Sequence, residues 1–236
     1  MVQPHTYPAL VGKALVLDAE PFIALSDDDD PWVEGLFLTI SIGFLVGIAR
    51  LLGQLLTTAV LPPNDSILAA LLQDWRQFST SVPQSINPAI MEAAVQEAWA
   101  LISFWNGYSG GWLRLLTLVT TPILLLAQWL LAGMIVYAAA RFFGGVGSLN
   151  QTLGVTALMV APQVLRFAEI LPFAAVSQLL LSVWALLIVY RAVEVAHDLP
   201  WQQALVAAAA PLLLLILFAL LLVILLGVGL LVWRLA

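Results

Sequence analysis

A chain of 236 residues that is 62% apolar and only 9% charged cannot cover a soluble globule of its size with polar groups, whereas helices inside a bilayer need few. The formal charge is −6, but Asp18, Glu20, Asp27, Asp28, Asp29, Asp30 and Glu34, half of the acids, precede Phe37, so the acidity belongs to the N-terminal tail. Basic residues are scarce, with Lys13 the single lysine, so no polybasic patch is expected for nucleic acid or anionic lipid. The absence of cysteine excludes disulfides, thiol catalysis and thiolate metal sites.

The first 31 residues read as an acidic tail with a short juxtamembrane surface helix or loop over 14–25, broken by Pro21 and ended by the aspartate run. They lack a secretory signal, so the N-terminus is expected to be kept. Pro31 and Trp32 then open the first apolar run with a helix-starting proline and an interfacial aromatic. A spanning helix needs about 20 mostly apolar residues, and runs at 33–58, 113–140, 152–173, 174–193 and 204–233 meet that length. Within the first, Gly43 and Gly47 form a GxxxG pair that lets another helix approach closely.

Pro62 and Pro63 stop the first span, and Asn64, Asp65 and Ser66 can cap a helix with Ile67, Leu68, Leu71, Leu72, Trp75 and Phe78 on one face. A second amphipathic helix follows Asn87 and Pro88, and the pair over 64–105 is expected as a hairpin along the membrane surface or capping the bundle. Trp99, Trp105, Tyr108 and Trp112 favour the surface. Gly107, Gly110 and Gly111 release the chain into the second span, which ends at Arg141 before the turn Gly144–Gly145–Val146–Gly147–Ser148. Ser148 or Asn150 can cap the next helix. This turn lacks the lysine of a phosphate loop.

The third span is the most polar, with Arg166 and Glu169 three residues apart on one face, Pro162 a turn earlier and Pro172 at its end. A central arginine costs about 2.5–3.5 kcal/mol on insertion scales, and Leu, Ile, Val and Phe return about 0.3–0.6 each. The pair is therefore expected to insert together with the fourth span. That span ends in Arg191, Glu194, His197 and Asp198, read as an interfacial cluster. His197 is there either a helix-end group facing headgroups or a pH sensor beside Glu194 and Asp198. The leucine-rich last span carries Pro211 near its entrance and ends on Trp233 and Arg234 as an anchor.

No serine nucleophile with a histidine on a neighbouring span, and no paired metal ligands, can be assembled: His5 and His197 are the two histidines, and neither lies within a predicted span. No catalytic residue, cofactor or metal site is expected. The candidate intramembrane polar residues are Arg50, Arg166 and Glu169, since ionisable groups in spans are functional candidates. The alternative is a structural pairing of Arg166 with Glu169. Candidate helix-packing positions are Gly43, Gly47 and Pro162, with Ala174, Ala175 and Ser177 as further small residues.

Several features resemble the Yip1 family of five-span membrane proteins. Gly144–Gly145–Val146–Gly147–Ser148 precedes Thr152–Leu153–Gly154 and a span ending Val160–Ala161–Pro162, followed by Pro172, Trp184, Tyr190 and a polar link to a long final helix; Ala19–Glu20–Pro21–Phe22–Ile23 resembles the juxtamembrane segment. The resemblance implies a five-helix bundle without enzymatic activity and, in eukaryotic members, a role in vesicle traffic through small GTPases. The chain lacks that branch's aspartate-leucine and glycine-tyrosine motifs and looks like a prokaryotic-type member. The resemblance also implies a cytoplasmic N-terminus, with Lys13, Arg141 and Arg191 inside, whereas counting Arg76, Arg114, Arg166 and Arg234 on the other face favours the reverse.

The expectation is an all-α polytopic bundle of five transmembrane helices with an amphipathic hairpin between spans one and two: a tail over 1–31 and a membrane domain over 32–236. Its expected role is non-enzymatic, binding other integral membrane proteins or organising the bilayer of the cell membrane, with an accessory subunit of a larger complex as one form. The alternative is a small transporter using the polar residues of the third span.

Overall fold

The structure is a computed structural model that describes residues 6–79, 87–105 and 112–235, without the side chains of 88, 104, 105, 112, 113 and 227–235. His5, Gly107, Tyr108, Gly110 and Gly111 lie outside the described residues, as do the side chains of Trp105, Trp112, Trp233 and Arg234. Among the described residues all regular structure is helical: α1 (Tyr7–Leu15), α2 (Glu20–Ser26), α3 (Pro31–Val60), α4 (Asn64–Ser79), α5 (Pro88–Trp105), a 3₁₀ turn (Trp112–Leu116), α6 (Thr117–Phe142), α7 (Leu149–Thr156), a 3₁₀ segment (Ala157–Ile170), α8 (Gln178–His197) and α9 (Trp201–Leu235).

Five segments are long and apolar enough to cross a membrane, namely Pro31–Val60, Arg114–Phe142, Leu149–Ile170, Gln178–His197 and Trp201–Leu226. The third and fourth do not abut as the sequence suggests. Residues 171–177 form a link in which Phe173 takes φ 66°, and Ser177 caps α8 by accepting from Leu180 N at 3.4 Å. Ala174 and Ala175 therefore lie in a connection and not on a helix face.

The third span also departs from a single α-helix. Eight residues of α7 pass into fourteen of 3₁₀ helix, an unusual length for that geometry. At about 1.5 and 2.0 Å rise per residue the two parts reach about 40 Å, enough for a hydrocarbon core of about 30 Å. Pro162, buried inside the 3₁₀ part, has no N–H to donate there.

The chain forms two compact units. The first contains residues 1–43, 122–164 and 177–236. Its core joins Leu38 and Ile42 of α3, Trp129 and Val136 of α6, Val155 and Leu158 of the third span, Leu181 and Ile188 of α8, and Ala204 and Ala207 of α9. The tail does not stay on the surface. Ala14 of α1 and Phe22 and Leu25 of α2 are fully buried, and Trp184 Nε1 of α8 donates to Leu15 O at 2.9 Å. The Tyr7 hydroxyl donates to the buried Glu34 carboxylate, and burial first, then that carboxylate, pushes the phenol pKa up. The Asp30 N–H holds the Asp28 carboxyl below its usual range.

Close approaches in this unit fall on glycines. A Cβ on Gly43 would lie 2.7 Å from Pro122 Cα, one on Gly35 would meet Trp129, and one on Gly154 would lie 2.7 Å from Pro31 O. Ser148 caps α7 with a full capping box to Gln151, and Asn150 Oδ1 accepts from Trp32 N at 3.0 Å. The preceding Gly144 has φ 88°, a left-handed turn conformation that favours glycine. In α9 packing is confined to the start: Ala204, Ala207 and Ala208 are buried, while the side chains of 212–226 are exposed.

The second unit contains residues 44–121 and 165–176. Here α4 and α5 run antiparallel, tied by Trp99 Nε1 donating to Asn64 Oδ1 at 2.8 Å and by a two-point contact of Arg76 with Glu92 at 3.0 Å per bond. No described side chain of α4 is buried. Gly47 faces the start of α6, where its Cβ would lie 3.2 Å from Thr117 O.

Candidate functional site

The three candidate polar residues of the spans meet in the second unit. Arg50 Nε donates to Glu169 Oε2 at 3.1 Å, and Arg166 Nη1 donates to Glu169 Oε1 at 2.9 Å. One carboxylate thus bridges two guanidinium groups. The 3₁₀ geometry produces half of this contact, since residues three apart eclipse one another in a helix of three residues per turn. The other half depends on Gly53. A Cβ there would collide with the Glu169 carbonyl oxygen, so only glycine lets α3 come this close.

The side chains of Arg166 and Glu169 are 10% and 16% exposed and that of Arg50 is 35% exposed. Charge pairing with hydrogen bonds is what makes such groups tolerable away from water. One turn beyond Arg50, Gln54 Oε1 is buried without a partner among the described residues. A further turn on, Thr58 Oγ1 donates into its own helix at Gln54 O (2.8 Å) and accepts from Arg114 Nη1 at 3.0 Å. Arg50, Gln54 and Thr58 form a polar stripe at i, i+4 and i+8. Sequence reading stopped at Arg50, although the spacing within an apolar run was visible.

Glu169 accepts from both arginines, so its carboxylate is engaged and is not a free base. The arrangement holds a charge; it presents no nucleophile. Among the described residues no group of three or more His, Asp or Glu could hold a metal ion.

A second polar centre lies in the first unit, around a residue the sequence placed at the interface. His197 is 1% exposed, with Nε2 2.8 Å from Thr152 Oγ1. That hydroxyl donates to Ser148 O at 2.7 Å, so its oxygen accepts from His197 Nε2–H. Nδ1 then carries the lone pair and finds no partner among the described residues. Cβ atoms on Gly145 and Gly147 would lie 2.8 and 3.0 Å from Nδ1. The expected headgroup contact is replaced by packing against the glycine turn, because α8 runs on to His197 before Asp198 ends it in a left-handed conformation. Leu153 and Gly154, beside Thr152, serve the same junction: Leu153 O accepts from the fully buried Trp129 Nε1 at 2.9 Å.

Five apolar membrane-length helices, no strand among the described residues and an intramembrane ion network define an all-helical, multi-pass membrane protein. The sequence matches the Yip1 domain over residues 17–224, most of the chain. The chain belongs to the Yip1 family, whose members are generally non-enzymatic membrane proteins. No curated protein and no solved structure matched the chain in the comparisons.

Proposed function

We propose that this protein is a non-enzymatic binding partner of other integral membrane proteins in the cell membrane, acting as an accessory subunit or local organiser of the bilayer. The observation that carries the reading is an apolar groove of about 380 Å³ between α6 and α9, lined by Ala138, Ala139 and Ala210 and flanked by Ile135, Phe142 and Leu213. Small residues allow the close backbone approach on which helix association in lipid depends, since apolar burial drives little there. Beyond Leu212 the side chains of α9 are exposed all round as far as Leu226.

A photo-crosslinking residue at Ala210 or Ile135, in native membranes, is expected to capture the same protein partners from both positions; one at Phe44, exposed on α3, is not. Lipid adducts alone, together with a lone monomer after mild extraction, would remove the binding reading.

A second reading, a small transporter, is favoured by the convergence of Arg50, Arg166 and Glu169. It predicts that Arg166→Ala with Glu169→Ala abolishes flux in proteoliposomes. Absence of flux in the parent protein would end that reading without affecting the first.

A further inference from the structure

Gln128 is the sole amide or charged side chain between Arg114 and Arg141. It stands midway along the second span, with fourteen residues of Arg114–Phe142 on either side. Its side chain is exposed and has no hydrogen-bond partner among the described residues. At that depth in a bilayer no water replaces a missing partner, so an amide left alone there is costly.

The surroundings of Gln128, all within the first unit, are polar as well. With Gln163 of the third span and Gln178 and Ser182 of α8 it lines a crevice of about 10 Å³. Gln163 is buried, and Gln178 Nε2 donates to Ser182 Oγ at 3.4 Å. Gln163 and Gln178 have further interactions of their own, so Gln128 is the amide that offers both donor and acceptor. The crevice takes a single water-sized group, which suits the tip of a side chain and excludes a whole ligand. Leu124 and Leu131, both exposed, flank Gln128 by one turn on the same face of α6.

We infer that a second copy of this chain docks on this stripe of α6, with the Gln128 amides of the two copies paired. Two copies inserted in the same orientation are related by a two-fold axis along the membrane normal, which brings identical residues to one depth. An amide carries donors and an acceptor, so Gln128 is its own complement. A different partner would need a polar group placed at that same depth. A lone polar side chain in an apolar seam also fixes the register and the number of helices that pair, and Leu124 and Leu131 supply the apolar contact on either side. The stripe ends before Ile135 and uses none of the residues of the α6–α9 groove.

The chain has no cysteine, so single-cysteine variants in phosphatidylcholine proteoliposomes report the pairing directly. On oxidation, Leu124→Cys and Leu131→Cys are expected to give disulfide-linked dimers, and Leu217→Cys, exposed on α9, is not. With donor and acceptor dyes on Leu217→Cys, energy transfer during dilution in lipid should reveal a dimer that Gln128→Leu weakens about fivefold. Gln128→Asn, which keeps an amide, should retain more of the dimer than leucine does. If Gln128→Leu fails to fold, the cross-linking contrast between Leu131→Cys and Leu217→Cys decides alone. Equal cross-linking at the three positions, a monomer at every dilution, or a dimer that Gln128→Leu leaves unchanged would overturn the inference. Dimers through Leu217→Cys with none through Leu124→Cys or Leu131→Cys would move the contact to α9 and overturn it as well.

Discussion

Arginine meets glutamate twice in the second unit at almost the same distance, 2.9–3.1 Å around Glu169 and 3.0 Å between Arg76 and Glu92. Their surroundings differ. The Arg166 side chain is 10% exposed at the end of a span, whereas Arg76 is 65% exposed on the hairpin. Contact length therefore says little about what either pairing contributes. Burial decides, because a desolvated charge left without its partner has no water to turn to.

Removing the bridge is the largest test of this contrast. Glu169→Ala removes the carboxylate that Arg166 and Arg50 share, and the expected loss is about 3–5 kcal/mol, in the range for breaking a buried pair. Arg166→Met should cost much less, since Glu169 keeps Arg50. Unfolding midpoints in mild detergent check both. Equal losses would show that the carboxylate does not bridge.

The next largest effect tests how the bridge is built. Gly53→Val places a branched side chain where the Glu169 carbonyl stands, and forcing the elements apart is expected to cost about 1–3 kcal/mol. It should also disturb the Arg50–Glu169 contact, so combining it with Arg50→Ala should cost less than the sum of the two. Strict additivity would separate the glycine from the ion network.

A neutral buried pair supplies an intermediate case. Thr152→Val removes the acceptor of His197 Nε2, while Ser148 O keeps the Thr152 N–H, with an expected loss of about 1–3 kcal/mol for a buried donor left unsatisfied. Thr152→Ser, which keeps the hydroxyl, should recover most of it. Valine keeps the methyl group, so an unchanged midpoint in Thr152→Val would show that the hydroxyl contributes little there.

These tests follow the line between what was legible in the sequence and what was not. The five spans were legible because lipid demands long apolar helices, and Arg166 with Glu169 were legible as neighbours because they are three residues apart. Their meeting with Arg50 was not, since it depends on the 3₁₀ winding after Thr156 and on Gly53, and neither leaves a periodic signal. His197 was misplaced for a related reason: a histidine at a helix end beside Asp198 and Pro200 reads as exposed until the glycine turn folds over it. The tail failed differently, as α1 and α2 each offer too few apolar residues to announce that they are buried.

The smallest effect belongs to Arg76 and Glu92. The hydrogen bond from Arg76 holds the Glu92 carboxyl below its usual range, and the same contact raises the guanidinium. A carboxylate with a depressed folded-state pKa stabilises above its unfolded value, about 4.3, and loses that contribution as pH falls through the lower folded value. Arg76 is exposed and Glu92 half-buried at the surface, so high salt should screen the pair at neutral pH and mimic the acid. The expected result is that Arg76→Gln leaves the unfolding midpoint unchanged within measurement scatter at physiological salt. A clear drop would mean that the hairpin rests on a surface that shields the pair from water, and hairpin and span would then obey the same rule of burial.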